Sequence, residues 1–406
     1  MNLSYFISKR ISQETRGGFS TTVHTIAIVS ISIGLGAAIL SFLVMLGFQE
    51  TVENKVYNFN GHLMVTKFTM NNSTEEQPMN YHIDVYDRPE AYPYLHHVQE
   101  FAHKPGLVRT EDEVVGVVVK GIGKRFDVEA FKKNIVDGTF IHFPDSGYAR
   151  QVVISKTIAE KIKANLGDDL TVVFFQNPPR FRKLKIVGFY ETNLTEYYDS
   201  KIVLGDIRML QRLNGWPDSL AGGLEVFVKD PSRIDDAGYG LGATMDFDLN
   251  IERISDRFVQ VFEWLRLLNR QVNILLVIIL TVVCVNMISI VLLLVMERTQ
   301  MIGMLKALGA GNRLIRSIFI FQGVNLIVRG LVIGNILGLG LCWLQHQFKI
   351  MKLNPHDYYM SFVPISWHWE VVGYLNLLTF GVVTMVLLLP TMFITRVDPI
   401  KAIRFD

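Results

Sequence analysis

Cysteine is almost absent from this chain: there are two in 406 residues, Cys284 and Cys342. Both fall in apolar stretches that read as membrane helices, so any domain outside those stretches folds without disulfides. Metal ligands are scarce as well. His96, His97 and His103 cluster in sequence, but no cysteine or acidic residue accompanies them at a ligand spacing. They read as a solvated helix face. A phosphate-binding loop is missing too, because "GIGKRF" (Gly121–Phe126) lacks the glycine spacing and the hydroxyl that would let backbone amides cradle phosphate. It reads as a turn. No Ser, His and Asp set stands out. The chain thus offers no catalytic constellation, no metal site and no bound cofactor, and nothing in a net charge of +2 points to nucleic acid.

Charge itself is missing from four long runs: Gly17–Gln49, Gln271–Met296, Gly330–Phe348 and Val371–Thr395. About 20 apolar residues carry a helix across the hydrocarbon core, so all four predict transmembrane helices. The apolar part of the first, Val23–Phe48, far exceeds the roughly 7–15 residues of a cleavable signal, and reads as a retained anchor. Positive charges flank the runs at Lys9, Arg10 and Arg16, at Arg298, Lys306, Arg313 and Arg316, and at Arg396, Lys401 and Arg404. The positive-inside rule makes those three segments cytoplasmic and puts both termini inside. The expected order is a tail (1–20), a first span (21–48), an external domain with a stalk (49–269) and a second span (270–296). A connecting helix (297–313), a third span (314–345), an outer loop (346–370), a fourth span (371–395) and a tail (396–406) come after these.

The external segment is long enough for its own core. "VVGVVVKGI" (Val114–Ile122), "LTVVFF" (Leu170–Phe175), "LKIVGFY" (Leu184–Tyr190) and "LEVFVKD" (Leu224–Asp230) read as strands, being rich in β-branched and aromatic residues. "SKTIAEKIKANLG" (Ser155–Gly167) carries a serine cap and a glycine stop and reads as a helix; a second is expected over Gly205–Leu213. The domain is therefore α+β. Met70–Asn80 is polar and aperiodic and reads as a mobile loop, while Ser255–Arg270 is amphipathic and reads as a stalk helix.

Four stretches invite a functional reading. Gly330, Gly334 and Gly338 recur every four residues, which suits close helix packing, either at a dimer seam or within one subunit. Arg329 beside them is shallow enough to snorkel toward the cytoplasmic surface. "QNPPRFRK" (Gln176–Lys183) joins two strands with two prolines, three basic residues and a phenylalanine, which suits either a solvated hairpin tip or a docking loop for an acidic partner. Finally, in "MERTQMIGMLKALGAGNRLIRS" (Met296–Ser317), Met301, Met304, Leu305 and Leu308 share a helix face at i, i+3, i+4 and i+7, with Ile302 beside it. Gly303 and Lys306 lie elsewhere on the wheel. Gly309 or Gly311 can supply the left-handed residue that stops this short helix. Its apolar face suits a docking knob or a helix lying flat on the membrane.

"MERTQMIGMLKALGA" resembles the cytoplasmic signature of permeases of the MacB, FtsX and lipoprotein-releasing type, a superfamily of ABC transporters. The layout of one span, a large external domain and three more spans is similar as well, and so is the ending "RVDPIKAIRFD" (Arg396–Asp406). The lipoprotein-releasing branch fits best. "GFSTTVHTIAIVSISIGLGAAILSFLVMLGF" (Gly18–Phe48) and "LNRQVNILLVIILTVVCVNMISIVLLLVMER" (Leu268–Arg298) resemble its first two spans, and "FQGVNLIVRGLVIGNILG" (Phe321–Gly338) carries its Gln322-Gly323 pair. The resemblance implies a permease of the bacterial inner membrane with a periplasmic domain. This permease is non-catalytic and pairs with a second permease subunit, identical or not. A cytoplasmic ATPase homodimer supplies the work from ATP and Mg.

On the same resemblance, Met301, Ile302, Gly303, Met304, Leu305, Lys306, Leu308 and Gly309 form the coupling helix, and Leu305→Asp is expected to uncouple it. Gln176, Asn177, Pro178, Pro179, Arg180, Phe181 and Arg182 form the hook that recruits a periplasmic lipoprotein carrier. Val44, Met45 and Phe48 with Gln271, Val272 and Asn273 contact the acyl chains of the lipoprotein, which arrives from the outer leaflet. The chain departs from the pattern in three places: Met301 stands where an acidic residue is common, the hook is short, and Arg329 occupies a stretch that is usually neutral. Two other activities fit the superfamily: a MacB-like efflux permease with an unfused ATPase, and an FtsX-like protein that regulates cell-wall hydrolases by mechanotransmission.

Overall fold

The structure, a computed structural model, describes residues 19–68, 76–109 and 113–392. The tails expected over 1–20 and 396–406 lie almost wholly outside the described residues, as does most of the loop expected over Met70–Asn80. Four helices are long and apolar enough to cross a membrane: Phe19–Asn60, Val259–Glu297, Asn312–Phe348 and Trp369–Thr391. All four expected spans are present, but the first three helices outrun their charge-free sequence. At 1.5 Å per residue, the 42-residue first helix is about 63 Å long and the 39-residue second about 58 Å, roughly twice the hydrocarbon thickness. Charge does not end a helix, and nothing between Glu50 and Asn60 breaks one; Gly61, with φ of 74°, does. The expected stalk breaks once, at Phe258, between a short helix Ile254–Arg257 and the helix that begins at Val259.

The chain divides into two compact units. One comprises the spans (1–50, 264–352, 362–406); the other comprises 51–263 with 353–361. In the membrane unit the first and third helices touch backbone to backbone. A methyl group on Gly338 would come within 3.0 Å of the Gly36 Cα and carbonyl oxygen, and one on Gly334 within 3.0 Å of the Ser32 carbonyl. The Ser32 hydroxyl also donates to the Gly330 carbonyl at 3.0 Å. The glycine stripe is thus a seam inside one subunit. Polar pairs join the other helices: Asn286 donates to Ser30 at 2.9 Å, and Asn335 and Asn376 exchange amide hydrogen bonds at 2.6 and 3.0 Å.

A testable consequence concerns Gly338. Gly338→Leu forces the two backbones apart, so the thermal midpoint of the detergent-solubilised chain should fall by an amount corresponding to about 1–3 kcal/mol or more. Gly340→Ala on the same helix meets no atom within 4 Å and should leave the midpoint unchanged. Equal melting of both variants would show that the seam does not hold the helices.

The outer unit is built on one sheet. Its strands are β1 (Leu63–Lys67), β3 (Leu95–Arg109), β4 (Val114–Ile122), β5 (Ile135–Gly138), β6 (Gln151–Ser155), β7 (Asp169–Phe174), β8 (Arg180–Tyr190), β9 (Ile202–Asp206), β11 (Gly223–Val228) and β12 (Leu249–Arg253). The spatial order is β12-β1-β11-β3-β4-β9-β6-β8-β5, with β7 bridging β3 and β8; the pairs β4–β9 and β6–β8 are parallel and the rest antiparallel. Short strands β2 (Met79–Asn80) and β10 (Leu220–Ala221) pair separately. All four expected strands are present. The helix capped by Ser155 runs Lys156–Ile162, and Ser155 Oγ accepts the Ile158 amide. The helix expected from Gly205 begins at Ile207, because Gly205 and Asp206 finish β9 and the Asp206 carboxylate then caps the helix, accepting the Arg208 amide.

The three histidines occupy a strand, β3, and not a helix face. Strand pairing overrides their weak helical pattern: His97 lies opposite Phe227 of β11 and His103 opposite Lys120 of β4. Two cores lie along the sheet: one around Val119, Val152, Ile186 and Leu210, the other around Leu63, Val98, Leu224 and Leu241.

On the sheet face opposite Val119 and Leu224, a charge pair is fully enclosed. Lys120 on β4 and Glu225 on β11 are each 0% exposed, with Nζ 2.6 Å from Oε1. Lys120 also donates to the Phe59 carbonyl, and Gln99 Nε2 on β3 donates to Glu225 Oε2 at 2.8 Å.

His62 gives the outer unit a pH dependence. Its Nδ1 accepts the Val228 amide at 3.2 Å and its ring stacks on Tyr57, 4.5 Å between centroids. Burial, with the nearby His96 charge second, pushes its pKa down to about 4 from 6.5. The folded state therefore resists a proton that the unfolded state accepts, and stability falls as pH drops from about 6.5 to 4, by about 3 kcal/mol. Burial holds the Glu100 and Asp199 carboxyls above their ordinary range, which works in the opposite direction: their cost is relieved as pH falls. The difference between wild type and His62→Gln isolates the histidine. Unfolding midpoints of the two chains should converge on acidification over that interval; parallel curves would show that His62 is protonated in the fold.

Candidate functional site

Three groups of residues qualify as sites, and each is positioned differently. The connecting helix runs Thr299–Ala307. Arg298 leaves helical geometry (φ −103°, ψ 19°), so the chain kinks out of the second span there. The stop comes at Gly309, whose φ of 87° is open to glycine at no steric cost; its amide bonds the Lys306 carbonyl at 3.0 Å and the Ala310 amide bonds Leu305 at 2.9 Å. Gly311 does not share that role, because it sits in extended geometry ahead of the third span.

The apolar face is divided. Ile302 and Gly303 are buried, and Ile302 joins Leu294, Val295, Ile315 and Phe319 in one core. Met301 and Leu305 are half-buried against that core. Met304 and Leu308 are 56% and 84% exposed. Periodicity alone groups Leu305 with Met304. The helix lies on its Ile302 side, so one flank of the apolar arc is used for folding and the other is left outside. Ala307, Met304 and Leu308 form that free flank.

The stretch expected to form the hook is a tight hairpin. β7 and β8 pair from Asp169↔Lys185 to Phe174↔Arg180, so Arg180, Phe181 and Arg182 belong to a strand and the turn is Phe175–Pro179. The Asn177–Pro178 peptide is cis. Gln176 Nε2 donates to the Leu213 carbonyl (3.3 Å) and to Asn214 Oδ1 (3.2 Å), and Arg180 Nη1 reaches the same Leu213 carbonyl at 2.9 Å. Those two side chains brace the loop against the C-terminus of helix Ile207–Asn214. Arg182 Nη1 turns back onto the Phe181 carbonyl. Asn177, Pro178 and Pro179 stand free in the turn, and Phe175 and Phe181 flank it with exposed rings.

The residues expected to contact acyl chains are split by burial. Met45 and Phe48 point into the subunit, where the Phe48 ring meets Trp264 edge-on at 5.4 Å. Val44 and Val272 are half-buried, while Gln271 and Asn273 are exposed. An uncharged run does not say which face of its helix meets neighbouring helices, and here the inward face includes two of the six. The outward apolar face of the second span is Ile274, Val277, Ile278, Val282 and Val285. Sequence reading also passed over Glu50, whose carboxylate bonds Ser366 Oγ at 2.6 Å and the His368 ring. The lone carboxylate ending the first charge-free run was the available signal.

Four spans, a sheet domain inserted between the first and second, and a short helix joining the second and third define a permease-like membrane protein. Residues 25–238 match the MacB-like periplasmic core domain and residues 273–399 the FtsX-like permease C-terminal domain. The chain belongs to the MacB/FtsX-like permease family. It is 22% identical over 417 residues to the "Lipoprotein-releasing system transmembrane protein LolC" of Neisseria meningitidis serogroup B, covering 96% of each chain. It is also 22% identical to the LolE counterpart of Haemophilus influenzae, over 91% of each. Among solved structures, the periplasmic region of MacB from Actinobacillus actinomycetemcomitans is 15% identical, with 53% of this chain and 98% of that one covered and a TM-score of 0.35.

Proposed function

We propose that this chain is the permease subunit of an ABC transporter that lifts lipoproteins from the outer leaflet of the inner membrane and hands them to a periplasmic carrier. The observation that carries this reading is the similarity to LolC and LolE over nearly the whole chain, outer domain and spans alike. Both termini and the connecting helix face the cytoplasm, in keeping with the basic residues beside them. Two permease subunits and a separate ATPase pair complete the assembly; ATP and Mg are bound by the ATPase.

Energetics explain the division of labour. Each acyl methylene moved from bilayer to water costs about 0.8 kcal/mol, so the lipid anchor of a lipoprotein would cost tens of kcal/mol if released bare. Hand-over through apolar surface avoids that exposure. ATP-driven closure acts on the Met304–Leu308 flank, travels along the long second helix and reaches the outer unit. There the turn at Asn177–Pro179, stiffened by two prolines and braced from Gln176 and Arg180, presents Phe175 and Phe181 to the carrier. Outward-facing Gln271 and Asn273, with half-buried Val44 and Val272, remain the acyl-contact candidates.

Depleting the protein in its host, separating the two membranes and quantifying lipoproteins in each by mass spectrometry tests the reading. Outer-membrane lipoproteins should accumulate in the inner membrane. An unchanged distribution after confirmed depletion would reject lipoprotein release and leave efflux or hydrolase regulation to be assayed.

A further inference from the structure

Polar side chains gather where two membrane helices meet. Thr21, His24 and Thr25 on the first helix and Gln322, Asn325 and Arg329 on the third line one cleft of about 190 Å³, with Ile28 and Leu326 as its apolar wall. Their spacings, i, i+3, i+4 and i, i+3, i+7, place each set on a single helix face. Buried Gln322 donates through Nε2 to His24 Nε2 at 3.1 Å, and the Thr25 hydroxyl is taken by the Thr21 carbonyl at 2.9 Å. The first of these bonds joins the two walls. Asn325 and Arg329, one helical turn apart, are exposed, and among the described residues neither side chain makes a hydrogen bond or ion pair. Among the described residues that line the cleft none is acidic.

The depth of the cleft narrows the ligand. Gly330 packs on Ile31, Gly334 on Leu35 and Gly338 on Ile39, so the helices run parallel and Arg329 lies level with Ser30. Taking Gln49, the last residue before Glu50, as one edge of the hydrocarbon, about 20 helical residues place the other edge near Val29. Arg329 is then at the boundary, and His24 and Thr21 lie in the headgroup layer. A guanidinium there is costly without an anion or water, and its planar fork matches two phosphate oxygens. Beyond it on the same helix face, exposed Val332 and Ile336 offer apolar surface running into the bilayer.

We propose that this cleft binds the phosphate group of an anionic phospholipid, held by Arg329 and Asn325, with an acyl chain along Val332 and Ile336. The assignment to the cytoplasmic leaflet rests on the orientation given with the proposed function; that leaflet carries anionic lipid that basic pockets between helices recognise. The lipid would then seal the joint between the first and third helices on the side where the ATPase docks.

Native mass spectrometry of the purified full chain, exposed to equal amounts of phosphatidylglycerol and phosphatidylcholine, tests the proposal without any transport step, so its result is independent of lipoprotein distribution. Wild type should retain phosphatidylglycerol at least tenfold better; Arg329→Gln should erase that preference, and Arg329→Lys should keep part of it. Asn325→Ala, an exposed change, should weaken it a few-fold, which keeps the test decisive should Arg329→Gln fail to fold. No headgroup preference in wild type, or the same preference in Arg329→Gln, overturns the site. Displacement of the lipid by millimolar inorganic phosphate would make it a soluble-anion site and overturn the lipid assignment.

Discussion

Lys120→Met is expected to destabilise the outer unit by about 3–5 kcal/mol, while the double variant Lys120→Met with Glu225→Gln recovers most of that loss. The reason is asymmetric. Both side chains are completely enclosed, and Lys120 has two partners besides solvent-free packing: the Glu225 carboxylate at 2.6 Å and the Phe59 carbonyl. Its ammonium also lies 4.7 Å from the centre of the Phe59 ring. Removing the cation leaves a carboxylate in a low-dielectric interior with one remaining donor, Gln99 Nε2. Glutamine at 225 removes the stranded charge and can still accept from Gln99. Proteolytic susceptibility of the outer unit in the full chain, measured against denaturant for the four members of the cycle, gives the coupling directly. A single variant within 1 kcal/mol of wild type would mean that water reaches the pair and that the enclosure is not maintained in solution.

That pair also marks the limit of what the sequence discloses. Lys120 stands in "VVGVVVKGI", where the β-branched run specifies a strand but says nothing about which strand lies two places away with an acid at the matching height. Strand pairing brings β4 and β11 to either side of β3, and only then does Glu225 become a partner. The same reasoning separates what was legible in the membrane unit from what was not. Four charge-free runs announce four spans because charge is expelled from hydrocarbon whatever the packing. Helix ends, by contrast, are set by backbone breakers, so Asn60 and not Phe48 ends the first helix. The every-fourth-residue glycines announced a close approach; that the approached surface is Ser32 and Gly36 of the same chain depends on how the helices assemble. For the sites, the turn after β7 and the stop at Gly309 could be read from local chemistry. Which side chains remain free could not be, because Gln176 and Arg180 are occupied by Leu213 and Asn214, far off in sequence.

The division of the connecting helix decides how the docking role proposed for it should be probed. Leu305, the position the sequence singles out, is half-buried against the Ile302 core, so Leu305→Asp would disturb the permease itself and confound loss of coupling with loss of fold. Met304 and Leu308 are the informative positions. Both are exposed, so replacing either by aspartate should change the stability of the isolated permease by no more than about 0.5 kcal/mol. Under the proposed function, each inserts an apolar end into the ATPase, and a charge placed at a desolvated anchor costs about 2 kcal/mol or more of binding. Met304→Asp with Leu308→Asp should therefore weaken ATPase association by at least about thirtyfold and abolish permease-dependent stimulation of ATP hydrolysis, with the melting midpoint of the permease unchanged. Co-purification and ATPase turnover in lipid nanodiscs read the two effects separately. Intact association with full stimulation would assign the exposed flank to the membrane surface instead, as a helix whose apolar residues rest among lipid headgroups and transmit nothing.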